Sequence, residues 1–573
     1  SKENLDNPFL YEKFWKKYQT VKFLELYRDT KFDCKESFAG ASKAPHSSVT
    51  SVVLPPILEE KFNFPPSLAK NVADIIGGHH GTFPTNGFLT DSVNKSAFVC
   101  GNEDWSEARR GFVDDLAKLF KVEGDFSHLS DGELKNATAM IFAGLTSVAD
   151  WIGSNADFFP CKIADYREVL AENYKWFKLE DYLNESGESA SKALKRLGWL
   201  KWVGETREKK FDDLFPKIKE TKRDLQIAAE EIAKELTKVG ICIIESPMGE
   251  GKTEAAMFLA DFLNARLKTR GIYFALPTQA TSEQMFTRVR EFLEARFAGE
   301  DVNVQLTLNH GHASISAEFE ETSANFRNIQ NTFDDADKSI RGEFSNVAAA
   351  EWFTYKKRGL LVPFGVGTID QILLGVLQVK HVFVRLLGLA HKTVIIDEVH
   401  AYDAYMSTLL ERLLEWLAAL GSPVVILSAT LPKKKRDALI KAYQKGLGQK
   451  FEKGEKPTSA DKDEYPRISY TTAAMGKTFK IRGLTTSRQN TKTLYLEWKD
   501  ENNFIEDLRL KLKDGGCAAI VCNTVDRAQT IYHNLQTDES FRELIDSGEL
   551  QLDLLHARFR YKDRETRQSR ALR

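Results

Sequence analysis

The sequence predicts a multidomain protein, an all-α domain followed by α/β units with parallel sheets, and three observations carry that prediction. Up to about residue 183 the apolar residues recur at helical spacing. From about residue 220, short β-branched runs ("GICII", "GIYFAL", "KTVIID", "SPVVILS") alternate with helical stretches, which calls for strands joined by crossover helices. A chain of 573 residues also fills about three or four domains of ordinary size.

Taken in order, the helical domain is expected over 1–183. Within it "SLAKNVADIIGGHHG" (67–81) places Leu68, Val72, Ile75 and Ile76 on one helical face and stops at a glycine pair. "ATAMIFAGLTSVADWIGS" (137–154) is a second apolar helix, with Asp150 a buried-looking acid in its middle. "NESGESASKALKR" (184–196), polar and Ser/Gly-rich, reads as a boundary or exposed link and opens a connecting segment over 184–220. The first α/β unit follows over 221–448, a second polar link over 449–485, and the start of another α/β unit over 486–573. Strand-like "TLYLEW" and "CAAIVCN" belong to that last unit.

Composition narrows the class. Hydrophobic content of 42% with 28% charge is globular, and a net charge of −2 advertises no nucleic acid globally. Local patches such as "PKKKR" (432–436) and "HARFRYKDR" (556–564) remain, although such runs are usually solvated faces. Six scattered cysteines without metal spacing fit reduced thiols in a cytoplasmic protein. No run has membrane-span length and no signal-peptide pattern opens the chain, so no membrane partner is expected.

The chemistry concentrates first in "ESPMGEGKTEAAMFLA" (245–260). An apolar strand, a glycine turn, Lys-Thr and a helix form the context of a phosphate loop, even though Ser246 replaces the usual first glycine. Gly249 and Gly251, flanking Glu250, let backbone N–H groups converge on an anion. Lys252 would reach the β/γ-phosphates and the Thr253 hydroxyl would hold Mg²⁺. The bland alternative is an ordinary strand-to-helix turn. In "KTVIIDEVHAYD" (392–403) two acids end an apolar strand: Asp397 suits the metal and Glu398 the attacking water. "LSATLP" (427–432) follows another strand; by themselves Ser428 and Thr430 are equally a turn or a helix cap.

The set "SPMGEGKTEAA", "ALPTQATSEQM", "VPFGVGTIDQ", "IIDEVHAYD", "LSATLP" and "IVCNTVDRAQ" resembles superfamily 2 helicases. Within them it is similar to the CRISPR-associated helicase–nuclease of type I systems. The resemblance implies an HD phosphohydrolase domain ahead of two RecA-like domains in a prokaryotic cytoplasm. It further implies ATP-driven, 3′→5′ movement on single-stranded DNA and recruitment by an RNA-guided surveillance complex at an opened target. It assigns adenine sensing to Gln226, and the coupling of hydrolysis to movement to His400, Ser428 and Thr430. Thr278, Thr368 and Asn523 would touch the DNA backbone, a contact that positions a strand without reading it; each is alternatively a cap or turn residue.

The same resemblance gives the histidines a role. Alone, His79 and His80 read as structural or solvent-facing, and adjacent helical positions diverge by about 100°. Gly77 and Gly78 can end the helix and free the pair to face one site. Imidazole with carboxylate suits Mn, Fe, Co, Ni or Zn, and the family's nuclease site makes His46, His79, His80 and Asp150 the expected ligands. The namesake His-Asp dipeptide occurs nowhere, and no Q-x-x-G-R-x-x-R-like segment follows "LLHARFRYKDRE". The sequence therefore reads as the central part of a longer protein. As it stands it is expected to bind ATP·Mg²⁺ with poor turnover, and at most one transition ion. Competing readings are an RNA helicase or DNA translocase whose N-terminal domain only recruits, and a catalytically dead binding module.

Overall fold

The computed structural model describes residues 46–84, 100, 103–129, 135–159, 179–197, 199, 207–298, 304–309, 347–348, 358–486, 495–499, 503–556 and parts of 558–570. Its N-terminal part is helical: α1 (His46–Phe62), α2 (Pro66–Gly77), α3 (Glu103–Leu119), α4 (Asn136–Gly153) and α5 (Leu179–Arg196). Helix α2 stops at the glycine pair, where Gly78 N–H closes back onto Asp74 O at 2.9 Å. His79 and His80 thus leave the helix in a turn, as the glycines allow. Asp150 lies in the last turn of α4 and is half-buried, rather than central and enclosed.

The α/β part is built from α6 (Asp224–Glu235), β1 (Gly240–Glu245), α7 (Lys252–Leu267), β2 (Ile272–Leu276), α8 (Gln279–Arg296) and β3 (Val304–Asn309). It continues with β4 (Val347–Ala348), β5 (Phe364–Thr368), α9 (Ile369–Leu373), α10 (Val382–Leu389), β6 (Thr393–Ile396) and α11 (Ala404–Ala419). Then follow β7 (Val424–Ser428), α12 (Lys433–Gly446), β8 (Arg467–Thr472) and β9 (Lys480–Gly483). The nine strands form one sheet in the order β4-β3-β5-β2-β6-β7-β1-β8-β9. Parallel pairing runs from β4 to β1, and only β8 and β9 are antiparallel. Strands β1, β2, β6 and β7 are buried on both faces, which is why they read as unbroken apolar runs. Helices α6, α7 and α8 cover one face, and α9, α11 and α12 the other. Helix α7 is buried continuously from Ala255 to Asn264, because α6 closes over its outer side.

Several sequence expectations change. Residues 179–196 are helical, so "NESGESASKALKR" is not a loop; Ala193 and Leu197 bury against Ile75, Val148, Ile152 and Phe383. Packing supplies what the Ser/Gly-rich composition lacks. The expected second link likewise holds β8 and β9, and β8 pairs with β1 in register Ile243↔Ser469. Of "PKKKR", Arg436 is fully buried and Lys435 donates to the Val399 and Tyr402 carbonyls, so it is no free basic patch.

Residues from Thr491 form a second unit, with α13 (Phe504–Leu512), α14 (Val525–Thr537) and α15 (Glu539–Asp546). Among its described residues there is no strand: 495–499 and 517–523 run irregularly, with Trp498 and Val521 exposed. A strand needs a neighbour for its backbone groups, and none pairs with these runs. Four described cysteines, Cys100, Cys242, Cys517 and Cys522, are free thiols, while Cys34 and Cys161 lie outside the described residues. No helix among the described residues is long and apolar enough to cross a membrane.

Candidate functional site

The strand order sets β2, β6, β7 and β1 side by side, so the loops leaving their C-terminal ends share one edge, where open α/β sheets bind ligands. From β1 to α7 the chain turns through Gly249 and Gly251, both at φ +82°, a region glycine enters without penalty. Ser246, fully buried, donates its N–H to Ser428 O at 3.3 Å and ties this loop to β7. Lys252 Nζ lies over the loop and donates to the Ser246 and Pro247 carbonyls at 2.7 and 3.0 Å. Burial lowers its pKa, against the pull of Glu398, Asp397 and Glu250. Glu250 is buried in the loop and Thr253 opens α7 half-buried. Gln226, also buried, reaches this loop from α6: a Cβ at Gly251 would collide with its amide, and its Oε1 accepts from Arg223 N at 3.0 Å.

The acids of β6 face the same edge. Burial first, then Glu398, pushes Asp397 up to about 6; its Oδ1 accepts the Glu398 N–H at 2.8 Å. Glu398 sits at φ +55°, unusual for a side chain of this size, and such backbone strain gathers at functional sites. His400 Nε2 stands 3.1 Å from Glu398 Oε2, while its Nδ1 is 3.4 Å from Ser428 Oγ; Ser428 Oγ in turn donates to Thr430 O at 2.9 Å. Phosphate loop, acids and the "LSATLP" turn are therefore joined through contiguous polar contacts. This arrangement can hold a nucleoside triphosphate with its divalent ion and orient a water.

Sequence reasoning missed the root of the loop. Glu245, fully buried at the end of β1, accepts two bonds of 2.8 Å from Arg467 and lies 3.4 Å from Arg436. Asp463 closes the network, 2.7 Å from Arg436 and 2.9 Å from Arg467. A lone acid inside the apolar run "GICIIE" was the available signal. Of the expected DNA contacts, Thr278 caps α8, its Oγ1 accepting from Thr281 N at 3.3 Å. Thr368 is buried where β5 meets α9, and Asn523 is exposed in the second unit, just before α14.

In the helical domain, the His79 and His80 rings stand 4.5 Å apart. His79 Nδ1 lies 2.7 Å from Ile76 O; a bond donated to that carbonyl fixes the tautomer and the ring orientation, as outer hydrogen-bond partners do for metal-binding imidazoles. Ser147 Oγ of α4 donates to His79 O at 2.8 Å, and Asp150, one turn further, shares that face of the helix. His46 opens α1 with its side chain outside the described residues. The donor chemistry fits a divalent transition ion. Among the described residues no three His, Cys, Asp or Glu groups gather closely enough to hold one, so the expected grouping of His79, His80 and Asp150 about one ion is not formed by these residues alone.

Residues 12–159 match the family described as "Cas3, HD domain", 218–433 "Type III restriction enzyme, res subunit", and 514–573 "CRISPR-associated nuclease/helicase Cas3, C-terminal". A CRISPR-associated endonuclease/helicase Cas3 of Thermus thermophilus is 36% identical over 495 residues, covering 86% of this chain and 49% of its own length. A CRISPR-associated nuclease/helicase Cas3 of Streptococcus thermophilus is 32% identical over 508 residues, covering 86% and 50%. The crystal structure of T. fusca Cas3-ATP superimposes with a TM-score of 0.74 at 29% identity, over 97% of this chain and 60% of that one. This chain thus spans about half the length of the curated relatives it matches.

Proposed function

This chain belongs, over the span it covers, to the Cas3 family of CRISPR-associated nuclease/helicases, and on that footing we propose that it drives movement along single-stranded DNA with ATP and cleaves that strand with a metal-dependent site. The observation that carries the reading is the single sheet edge on which Lys252, Asp397 and the Glu398–His400–Ser428 contacts meet. Backbone N–H groups of 246–251 and the Lys252 ammonium bind the triphosphate, with Gln226 at the loop's flank reading the adenine. Thr253 and Asp397 hold Mg²⁺, which neutralises charge on the transferring phosphoryl group when bound. Glu398 accepts the proton of the attacking water. His400, Ser428 and Thr430 carry the change at Glu398 to β7, and Thr278, Thr368 and Asn523 contact the DNA backbone.

For the nuclease, His79, His80, Asp150 and His46 act as ligands of a divalent transition ion (Mn, Fe, Co, Ni or Zn) that would supply an activated water to the phosphodiester. The partner is the RNA-guided surveillance complex at an opened target, in a prokaryotic cytoplasm; the "CRISPR-associated" names of the relatives support that partner.

The test uses ATPase stimulated by single-stranded DNA in the full-length protein. Lys252→Ala removes charge-assisted bonds to phosphate and should weaken nucleotide binding by roughly 10- to 100-fold. Glu398→Gln should keep binding and lower turnover by about 10²–10⁴. Near-normal rates in either would remove that residue from its role, and stimulation by RNA alone would overturn the substrate reading.

A further inference from the structure

The turn that carries His79 and His80 is gripped from two sides, by two different domains. Ser147 of α4 holds the His79 carbonyl from within the helical domain. From the α/β domain, the turn before α10 closes on Gly81: His381 donates its N–H to Gly81 O at 2.8 Å. The approach leaves no room for a side chain, since a Cβ at Gly81 would stand 2.5 Å from Lys380 Cγ and 2.7 Å from His381 Nε2. Gly81 also holds φ +114°, which side chains resist. His381, itself at φ +64° and buried, packs its ring edge-on against Trp151 at 5.2 Å and Phe383 at 6.1 Å. Gly81 directly follows His80, and Trp151 directly follows Asp150. One residue of the α/β domain therefore touches the neighbour of each described half of the donor set.

We propose that His381 is a positioning residue of the nuclease site. Its N–H and ring set the spacing between the His79–His80 turn and the end of α4, so the helicase domain furnishes part of the nuclease frame. This rests on the nuclease reading above. Outer groups that fix ligand orientation are worth about 10- to 100-fold in metal affinity, and His381 meets that description from across a domain boundary. Ordinary interface packing would instead stabilise both domains without favouring the ion.

The experiment uses the full-length protein with Mn²⁺ as probe. Free ion is counted from its aqueous electron-spin-resonance signal, and nicking of circular single-stranded DNA and stimulated ATPase are measured alongside. His381→Asn tolerates the left-handed backbone, keeps the N–H bond and deletes the ring; Gly81→Ala strains the same contact from the opposite side. His381→Asn should weaken Mn²⁺ binding about tenfold or more and raise the Mn²⁺ concentration for half-maximal nicking by a similar factor. Maximal nicking at saturating Mn²⁺ and ATPase should stay within about twofold of the parent. Gly81→Ala should do the same, and if it does not fold, His381→Asn decides alone. Unchanged Mn²⁺ affinity in His381→Asn, or loss of nicking and ATPase in equal proportion, would overturn the proposal. A parent protein that neither binds Mn²⁺ nor nicks would overturn the nuclease reading itself.

Discussion

Asp397 shows how a position proposed to hold Mg²⁺ trades stability for charge. Burial and the adjacent Glu398 raise its pKa from 3.8 to about 6, a rise worth roughly 3 kcal/mol at about 1.4 kcal/mol per pH unit. A carboxyl whose folded pKa exceeds its unfolded value costs nothing below about pH 4, and its cost is fully felt above about pH 6. Asp397→Asn keeps an oxygen for the Glu398 N–H and sheds the charge. It is expected to gain a few kcal/mol of unfolding stability at pH 8, a gain that vanishes near pH 4, while Mg²⁺-dependent turnover is lost. Chemical denaturation at both pH values checks the sign; destabilisation at pH 8 would mean that this carboxylate is well compensated where it sits.

The strand β1 depends on its charged terminus. Glu245 and Arg436 are fully removed from water and Arg467 nearly so, and such pairs are strongly destabilising to break because one charge is left uncompensated. Glu245→Ala is expected to cost about 3–5 kcal/mol, read as a lower urea midpoint. A loss below about 1 kcal/mol would place the network among ordinary surface pairs. The hydrogen bond from Arg436, followed by the charges of Arg436 and Arg467, holds the half-exposed Asp463 below the usual carboxylate range. Its contribution is therefore complete above about pH 4 and is lost as pH falls through the depressed value. Helix α4 meets α10 as closely: a Cβ on Gly144 would stand 2.7 Å from Phe383 O and 2.8 Å from Leu387 Cβ. Gly144→Val should accordingly cost about 1–3 kcal/mol by overpacking, measured by the same melts.

Within the unit that ends at Asn490, the two proposed chemistries would share one packed body. The helical domain buries Ile75, Ala143, Val148 and Ile152 against Val362, Phe383 and Val384 of the α/β domain, and α10 leads through β6 to Asp397 and Glu398. The proposed ligands nevertheless lie in a different domain from the phosphate loop. His79→Ala should abolish metal-dependent nicking of single strands and leave stimulated ATPase within about twofold, because the imidazole lies outside the domain that carries Lys252, Asp397 and Glu398. Loss of both activities in a protein with unchanged circular dichroism would show that the ligand turn also supports the helicase.

What the residues determined unaided were the local, repetitive features. Strands β1, β2, β6 and β7 announced themselves as β-branched runs between helices, the glycines at 77–78 and 249–251 marked their turns, and "GEGKT" and "DEVH" marked, by residue type and spacing, the candidate site that the sheet edge brings together. Tertiary structure decided the rest. Residues 184–196 became helical because Ala193 and Leu197 found a core to enter, and 467–483 joined the first sheet because β1 had an open edge to pair. Arg436 left its apparent basic patch for a buried acid 191 residues away. Thr278 serves as a cap because a helix begins beside it. Each of these outcomes depends on a partner distant in sequence or on local geometry that composition does not encode. The grip of His381 on Gly81 is the sharpest case: Gly81 closes "GGHHG" but His381 belongs to no motif, and only the packing of one domain on the other brings them within a hydrogen bond.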